Sequence, residues 1–333
     1  MSRKRWLLDE DSNRVPPPQG GEPSAPITMS RLTRFIRSMY TDRDAFWEHR
    51  LLPLQQPDFP VAVCWSAKSG CTTVLKWFLA HTGLLDEALA YSKWVHDYRQ
   101  HKMFRAPGYR RQCERLFKTA TQNGFIVKVI RDPATRAVSS YLHFLRCGHD
   151  VEQWPQAVLV PQWKSAAGLK HQRGLSFRQF LMFAITQQLN GSLLDPHFRQ
   201  QYDTQQDSCV DAYVRLEDLA DGLRDVENRT GLPHLDIHEL SQSGHHNPVT
   251  AHHAWPTNAA ECPVDHNTLD ELGTPPPQVF LDAATRMLIR TAYWTDYAAY
   301  GHHYDAAPAM LRMSTASKGR PAESLQQARR QAA

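Results

Sequence analysis

The sequence lacks the patterns that mark several large classes of protein. Its 6 cysteines include no CxxC pair and no regular spacing, which argues against a structural zinc site and against a disulfide scaffold. No run approaches the ~20 consecutive apolar residues of a membrane span, although peripheral contact with a membrane stays open. The formal net charge is only +4 over 333 residues, and basic residues alternate with acidic ones, so nucleic acid is not an expected partner. We therefore expect a soluble, cytoplasmic protein with reduced thiols.

The length and the composition predict one main domain between two tails. With 333 residues, 41% of them hydrophobic, the chain can bury a full globular core. Residues 1–28 contain Pro16-Pro17-Pro18 and little apolar content, which predicts a flexible N-terminal arm. Residues 305–333 are predicted as a flexible C-terminal tail. No internal repeat divides residues 29–304, so this range is expected to form the domain.

Three apolar runs, each followed by a helical pattern, indicate the fold class. The runs cover residues 60–65, 124–130 and 211–216. A helix is expected to begin at Pro133 after the second run, and another is expected to end at Gly231 after the third. Strands that are apolar throughout and alternate with helices are typical of a parallel sheet covered on both faces. The prediction is an α/β fold in three layers, with a mostly parallel central sheet flanked by helices.

The turn after the first strand, Trp65-Ser-Ala-Lys-Ser-Gly-Cys-Thr-Thr73, has the residue types of an anion site. Gly70 permits a tight turn, and the free N–H groups at the start of the next helix favour negative charge. Lys68 adds a cation. Further hydroxyl donors are Ser69, Thr72 and Thr73. The turn suits a phosphate or a phosphosulfate, and a simple helix cap is the alternative.

The order of residues in this turn argues against a nucleoside-triphosphate P-loop. Such a loop needs a lysine directly after its last glycine, followed by serine or threonine. Here Lys68 precedes Gly70, and Cys71 follows it.

A second candidate anion site, Arg131-Asp-Pro-Ala-Thr-Arg136-Ala-Val-Ser139, follows the second strand. Asp132 is a good N-cap for a helix that has proline at its first position. Arg131 lies at the carboxyl end of the strand, where α/β sheets place their ligands. Together with Ser139 it could clamp a phosphate. The alternative is an arginine paired with Asp132 beside a solvated helix face.

The two segments together resemble the sulfotransferases that use 3′-phosphoadenosine 5′-phosphosulfate (PAPS), in particular the carbohydrate type called sulfotransferase family 2. Lys68-Ser-Gly-Cys-Thr-Thr73 is similar to their 5′-phosphosulfate loop, and Arg131-Asp-Pro-x-x-Arg136-x-x-Ser139-x-Tyr141 is similar to their 3′-phosphate motif. The resemblance implies a P-loop-like fold, PAPS as donor, 3′,5′-adenosine bisphosphate (PAP) as product, and no metal. The residues implied for the 5′ end are Lys68, Ser69, Gly70, Cys71, Thr72 and Thr73. Those implied for the 3′-phosphate are Arg131 and Ser139.

The loop departs from the usual family pattern at two positions, and other segments match the family more loosely. Ala67 stands where proline is common, and Cys71, where threonine or serine is usual, brings no hydroxyl group. The looser matches are Asp195–Gln201, Tyr213–Leu219 and Tyr293–Tyr300. The resemblance covers roughly residues 60–303.

Transfer of a sulfuryl group to a hydroxyl needs a proton acceptor, and histidine is the usual one near neutral pH. The first candidate is His96, in a segment read as a short strand (93–98) and placed broadly where the 2-O-sulfotransferases carry a base. His197 is second, because Asp195-Pro-His197-Phe resembles a family segment, and His101 is third. Lys68 would neutralise the charge on the departing phosphate.

Several other residues have both a possible functional role and an ordinary structural one. Arg99 and Lys102 are candidates to bind an acidic sugar, or else solvated charges. Trp65 and Trp77 are candidates to stack on adenine, or else core residues. The histidines His245, His246, His252 and His253 are predicted to lie on a loop beside the nucleotide pocket rather than to bind a metal.

The resemblance favours a hydroxylated acceptor of the saccharide or glycolipid class. Two other functions stay open at the level of sequence. One is a small-molecule kinase that uses ATP and Mg²⁺. The other is a non-catalytic protein that binds a nucleotide or a glycan on the same fold.

Overall fold

A computed structural model describes residues 52–118, 124–146, 155–189, 196–242, 253–304 and 312–313. Within these residues a single sheet has the strand order β1 (Val61–Trp65), β2 (Phe125–Ile130), β3 (Ala212–Arg215) and β4 (Arg312–Met313). The first three strands are parallel to one another, and β4 pairs with β3 in antiparallel orientation. The predicted α/β class with a mostly parallel sheet is confirmed.

Helices follow each of the parallel strands. In chain order they are α1 (Cys71–His81), α2 (Leu85–Tyr91), α3 (Val95–Tyr98), α4 (Tyr109–Lys118), α5 (Pro133–Arg146), α6 (Pro155–Ala166), α7 (Phe177–Leu189), α8 (Thr204–Asp207), α9 (Leu219–Thr230), α10 (Ile237–Ser241), α11 (His266–Leu272), α12 (Ala283–Ala292) and α13 (Trp294–Tyr300).

The parallel strands are apolar throughout because both faces of the sheet are covered. On one face, Val63 and Trp65 pack in a cluster with residues of α1 and α9. On the other face, Ala62 and Cys64 pack against Tyr300 of α13. All residues of β1 and β2 are buried. The helical layers on the two faces hold the carboxyl ends of β1 and β2 side by side, since these strands pair in register.

The helix boundaries that matter for function follow local signals. Asp132 Oδ1 accepts a hydrogen bond from the Thr135 N–H at 2.8 Å, so the predicted N-cap before Pro133 is confirmed. Gly231 ends α9 in the left-handed conformation, with φ of 67°.

Helix α5 is more buried than its sequence pattern predicts. Its apolar face packs in a second cluster with α7 and α12, where Tyr141 donates a hydrogen bond to the Leu175 carbonyl at 2.7 Å. On another face of the helix, Arg136 and Ser140 are also buried, whereas Ser139 is partly exposed. The alternative of a solvated helix face therefore does not describe Arg136 and Ser140.

Residues 93–98, expected as a short strand, instead contain the helical turn α3, which continues as a π-helical turn over Arg99–Met103. Ser92 Oγ donates to Asp97 Oδ2 at 2.7 Å and accepts from the Trp94 N–H at 3.1 Å. These side-chain bonds favour a turn over a strand because they satisfy backbone and side-chain groups locally.

Strand β4 lies inside the range predicted as a C-terminal tail, and the predicted N-terminal arm lies outside the described residues.

Candidate active site

The loop after β1 turns sharply at two left-handed residues. Lys68 has φ of 70° and Gly70 has φ of 75°, and Lys68 is the only non-glycine residue with positive φ in the described part of the chain. The first intrahelical hydrogen bond after the loop joins the Val74 N–H to the Gly70 carbonyl at 3.1 Å. The N–H groups at the start of α1 precede this bond and lack intrahelical partners, as at every helix start. Strain in a loop that ends at free N–H groups is typical of a functional site.

Gly70 is required by close packing as well as by its conformation. A Cβ atom at this position would lie 2.6 Å from Leu216 Cδ1, directly after β3. The end of the third strand therefore presses against the loop, which a larger residue at position 70 would push away.

Arg131 follows β2 and reaches across to the same loop. Its Nη1 donates to the Lys68 carbonyl at 3.0 Å, and its Nε donates to Thr135 Oγ1 at 3.3 Å. Burial lowers the pKa of this guanidinium, and the charge of Glu217 opposes the shift. Asp132 caps its own helix, so the alternative of a simple Arg131–Asp132 pair does not describe the site.

Gln201 joins the two candidate anion segments. Its Oε1 accepts hydrogen bonds from Ser66 Oγ at 3.1 Å, Ser69 Oγ at 3.0 Å and the Arg131 N–H at 2.9 Å. Its Nε2 donates to the Arg131 carbonyl at 2.8 Å. The backbone N–H of Gln201 donates to Asp296 Oδ1 at 2.7 Å, which anchors it to α13. One buried amide thus sets the loop after β1 against the end of β2.

Arg136 stabilises the loop after β1 through a hydrogen bond to its backbone. It is fully buried, and its Nε donates to the Ala67 carbonyl at 3.0 Å while its Nη2 reaches the Pro196 carbonyl at 3.4 Å. Burial lowers its pKa, and the nearby charge of Asp296 acts in the opposite direction. Since it is enclosed by protein, Arg136 positions the loop rather than contacting a ligand.

The other predicted anion ligands fall into two groups. Ser69 and Thr73 are buried, and the hydroxyl of Ser69 points at Gln201 and Ser66 rather than outward. Thr72 and Ser139 are partly exposed. Ser140, the neighbour of Ser139, is fully buried, and its Oγ has no hydrogen-bond partner among the described residues.

His96 lies directly beside the loop. Its Nε2 is 3.0 Å from Thr72 Oγ1, and its Nδ1 is 2.7 Å from Nη1 of Arg99. Arg99 is therefore not a solvated charge, and its guanidinium lies 4.6 Å from the centre of the Trp65 ring. Lys102 and His101 are exposed on the following turn.

His197 contacts helix α5. Its ring centre is 4.0 Å from that of His143 on α5, one helical turn beyond Ser139. Both rings are partly exposed. His197 directly follows Pro196, whose carbonyl is bound by Arg136, so the pair is connected to the loop through that arginine.

The remaining predicted residues are buried in the core, exposed, or outside the described residues. Trp77 is fully buried and donates to Glu227 Oε1 at 2.7 Å, so the adenine role considered for it is wrong. Asp195, His245, His246 and His252 lie outside the described residues, and His253 is exposed.

Two kinds of feature are absent from the described residues. They contain no group of three or more His, Cys, Asp or Glu residues that could hold a metal ion. No helix among them has both the length and the apolar character required to cross a bilayer.

Gln201 is the residue of the site that sequence reasoning missed. It stands at the end of the Asp195–Gln201 segment, and nothing in its local pattern distinguishes it from the adjacent Gln200. Its role depends on partners 70 and 132 residues away in the chain.

Neither the curated proteins nor the solved structures compared with this chain gave a match. A family model does match: that of the Sulfotransferase family covers residues 54–301, which include both anion segments, Gln201 and the two candidate histidines. The match extends over most of the 333 residues. The chain belongs to the sulfotransferase family.

Proposed function

We propose that the protein transfers a sulfuryl group from PAPS to a hydroxyl group of a saccharide or glycolipid acceptor. Membership of the family supports sulfuryl transfer in general. The donor, the acceptor class and the identity of the base are the parts that this proposal adds.

The observation that carries the donor assignment is the coupling of the two anion segments. The Arg131 guanidinium bonds to the carbonyl of Lys68, and Gln201 binds both segments at once. A ligand held by both must carry two anionic groups, one at the start of α1 and one near Arg131. PAPS has this arrangement, with a phosphosulfate at its 5′ end and a phosphate at its 3′ position. AMP lacks the second group.

The residues of the loop have distinct roles in the proposed reaction. In an in-line displacement, negative charge develops on the leaving phosphate oxygen. Lys68 is proposed to neutralise that charge, with the N–H groups of residues 70–73 holding the 5′ end. Thr72 supplies a hydroxyl donor, Cys71 contributes its backbone only, and Ser69 acts by bonding to Gln201. Arg131 and Ser139 are proposed to bind the 3′-phosphate, and no metal is required.

The proton of the acceptor hydroxyl is proposed to pass to a histidine. The first two candidates differ in their surroundings: His96 is bonded on both ring nitrogens, whereas the ring of His197 contacts that of His143 at a tilt of 36° on the partly exposed side of α5. The cytoplasm is the proposed location, since the described cysteines are all free, as expected in a reducing compartment.

A calorimetric titration of the protein with PAP, AMP and ATP plus Mg²⁺ tests the donor. Each charge-assisted contact to the 3′-phosphate is worth about 1.5–3 kcal/mol, so PAP should bind at least ~tenfold more tightly than AMP. Arg131→Ala should remove most of this preference. Because Arg131 also holds the loop, Ser139→Ala provides a second variant, expected to reduce the preference about fivefold. Arg224→Ala, an exposed site on α9, is the matched control.

Equal affinity for PAP and AMP would refute the PAPS assignment. Tighter binding of ATP in the presence of Mg²⁺ would favour the kinase instead. Tight PAP binding without turnover of PAPS would favour the non-catalytic binding protein.

A further inference from the structure

A hydrogen-bonded chain of three side chains leads from a partly buried cation, Arg99, to the loop. Nη1 of Arg99 is 2.7 Å from Nδ1 of His96, and Nε2 of His96 is 3.0 Å from Oγ1 of Thr72. Thr72 stands in the first turn of α1, where the N–H groups face the proposed phosphosulfate site. This hydrogen-bonded chain of side chains therefore ends at the point where the transferred group would lie.

The donor at one end of this chain determines the direction of every hydrogen bond in it. A guanidinium has five N–H donors and no acceptor, so Nδ1 of His96 must accept from Arg99. The neutral imidazole then carries its proton on Nε2 and donates it to Thr72 Oγ1. Thr72 Oγ1 then accepts this bond through one of its two lone pairs, and its own hydroxyl proton can point at an anion.

The ring and the guanidinium are held rigidly by aromatic side chains. Trp65 stacks on His96 with ring centres 6.2 Å apart, and Trp94 contacts its ring at 4.5 Å. The Arg99 guanidinium lies 4.6 Å from the Trp65 ring centre and 5.3 Å from that of Phe104. A side chain clamped in this way cannot easily rotate to expose a free Nε2 lone pair to an acceptor.

The Arg99 guanidinium, at the start of this hydrogen-bonded chain, is a cation without a partner carboxylate among the described residues. Burial lowers the pKa of Arg99 to about 10, which still leaves it cationic near neutral pH. Its Nε has no hydrogen-bond partner among the described residues, and none of their carboxylates contacts it in an ion pair. Partial burial of a cation without a partner anion is unfavourable, so the negative charge of a ligand bound at the loop would stabilise it.

We propose that His96 is a positioning residue rather than the proton acceptor: as a neutral Nε2–H donor it links Arg99 to Thr72 and directs the Thr72 hydroxyl proton toward the sulfuryl or phosphate oxygens. This inference rests on the proposed function. It leaves His197, the second of the three candidate histidines, ahead of His101 as the proposed acceptor of the substrate proton.

Glutamine at position 96 separates the two roles. Its Oε1 can accept from Arg99 and its Nε2 can donate to Thr72, so His96→Gln preserves the chain but cannot act as a base. His96→Ala removes both. The rate measured is release of PAP from PAPS with water as the acceptor, which requires no knowledge of the natural acceptor. His171→Gln, an exposed histidine, is the control.

We expect His96→Ala to lower this rate about tenfold or more, and His96→Gln to stay within about threefold of the wild type. Thr72→Val should resemble His96→Ala, and the double variant should lose little more than either single one, because all three residues act in one chain. If His96→Gln is as slow as His96→Ala while both remain folded, His96 is the base and the inference is wrong.

The tautomer of His96 gives a second test that is independent of turnover. A long-range ¹H–¹⁵N NMR spectrum at pH 7, with the His96 signal assigned from the His96→Gln variant, should show Nε2 protonated and Nδ1 bare. A proton on Nδ1 would overturn the inference. A wild-type protein that neither binds PAP nor releases it from PAPS would instead refute the proposed function, and the tautomer would still decide the role of His96.

Discussion

Replacing Gln201 with alanine should damage both stability and ligand binding, because this one side chain joins the two anion segments. Its amide contacts two serine hydroxyls in the loop after β1 and both polar backbone groups of Arg131. The side chain is almost fully buried, so water does not readily replace it.

The expected loss of unfolding free energy follows from the polar groups that Gln201→Ala leaves without hydrogen-bond partners. Ser66 Oγ and Ser69 Oγ lie 2.8 Å apart and can still bond to each other, so one hydroxyl proton loses its acceptor. The N–H and carbonyl of Arg131 lose their partners as well, but they are only partly buried and water can reach them. Since an unsatisfied buried group costs about 1–3 kcal/mol, the free energy of unfolding should fall by about 2–4 kcal/mol.

The affinity for PAP should fall at least ~tenfold in the same variant, because the Lys68 loop and Arg131 are no longer held in register. Urea unfolding followed by circular dichroism measures the first effect, and calorimetric titration measures the second. Gln200→Ala is the matched control: its amide contacts Gln188 and the Ala292 carbonyl, neither of which belongs to the two segments. Unchanged PAP affinity in folded Gln201→Ala would refute the coupling, whatever the change in stability.

Two further predictions concern the loop and the core. Gly70→Ala should destabilise the protein more than Gly83→Ala. Both glycines have positive φ, of 75° and 70°, and an alanine in that conformation costs about 1 kcal/mol. Of the two, only Gly70 would also bring a Cβ against another atom, Leu216 Cδ1 at 2.6 Å. Equal losses in urea unfolding would show that Leu216 moves aside freely. Lys128→Met and Asp207→Asn each break a fully buried ion pair and should lower the unfolding free energy by about 3–5 kcal/mol. Asp207→Asn should cost more than Lys128→Met. It leaves the Lys128 ammonium with the Gln201 carbonyl as partner, whereas Lys128→Met leaves the Asp207 carboxylate with three donors, from Tyr213, Tyr300 and the Asp203 N–H. The reverse order of unfolding free energies in chemical denaturation would contradict this reasoning.

The strands and the helix start that form the site can be predicted from the sequence. Apolar runs predicted β1, β2 and β3, and Asp132 followed by proline predicted the start of α5. Each signal depends on residues a few positions apart, whose backbone preferences act whatever the rest of the chain does. The prediction of a strand over residues 93–98 is wrong because the deciding contact, between Ser92 and Asp97, is a side-chain hydrogen bond that hydrophobic periodicity does not reveal.

The assignment of roles within the site needed the tertiary structure. Sequence placed Lys68, Arg131 and His96 in candidate segments, but only packing shows that Gln201 binds two of those segments and that Arg136 is enclosed beneath the loop. Only packing places Arg99 against Nδ1 of His96, and this contact is the basis of the proposed tautomer of that ring. The physical reason is that a hydrogen bond selects its partner by distance and direction in space, and these are set by how strands and helices far apart in the chain are packed together. Sequence by itself determined the two candidate anion segments of this member of the sulfotransferase family, and the fold decided which of their side chains are partly exposed and which are enclosed and hold the others in place.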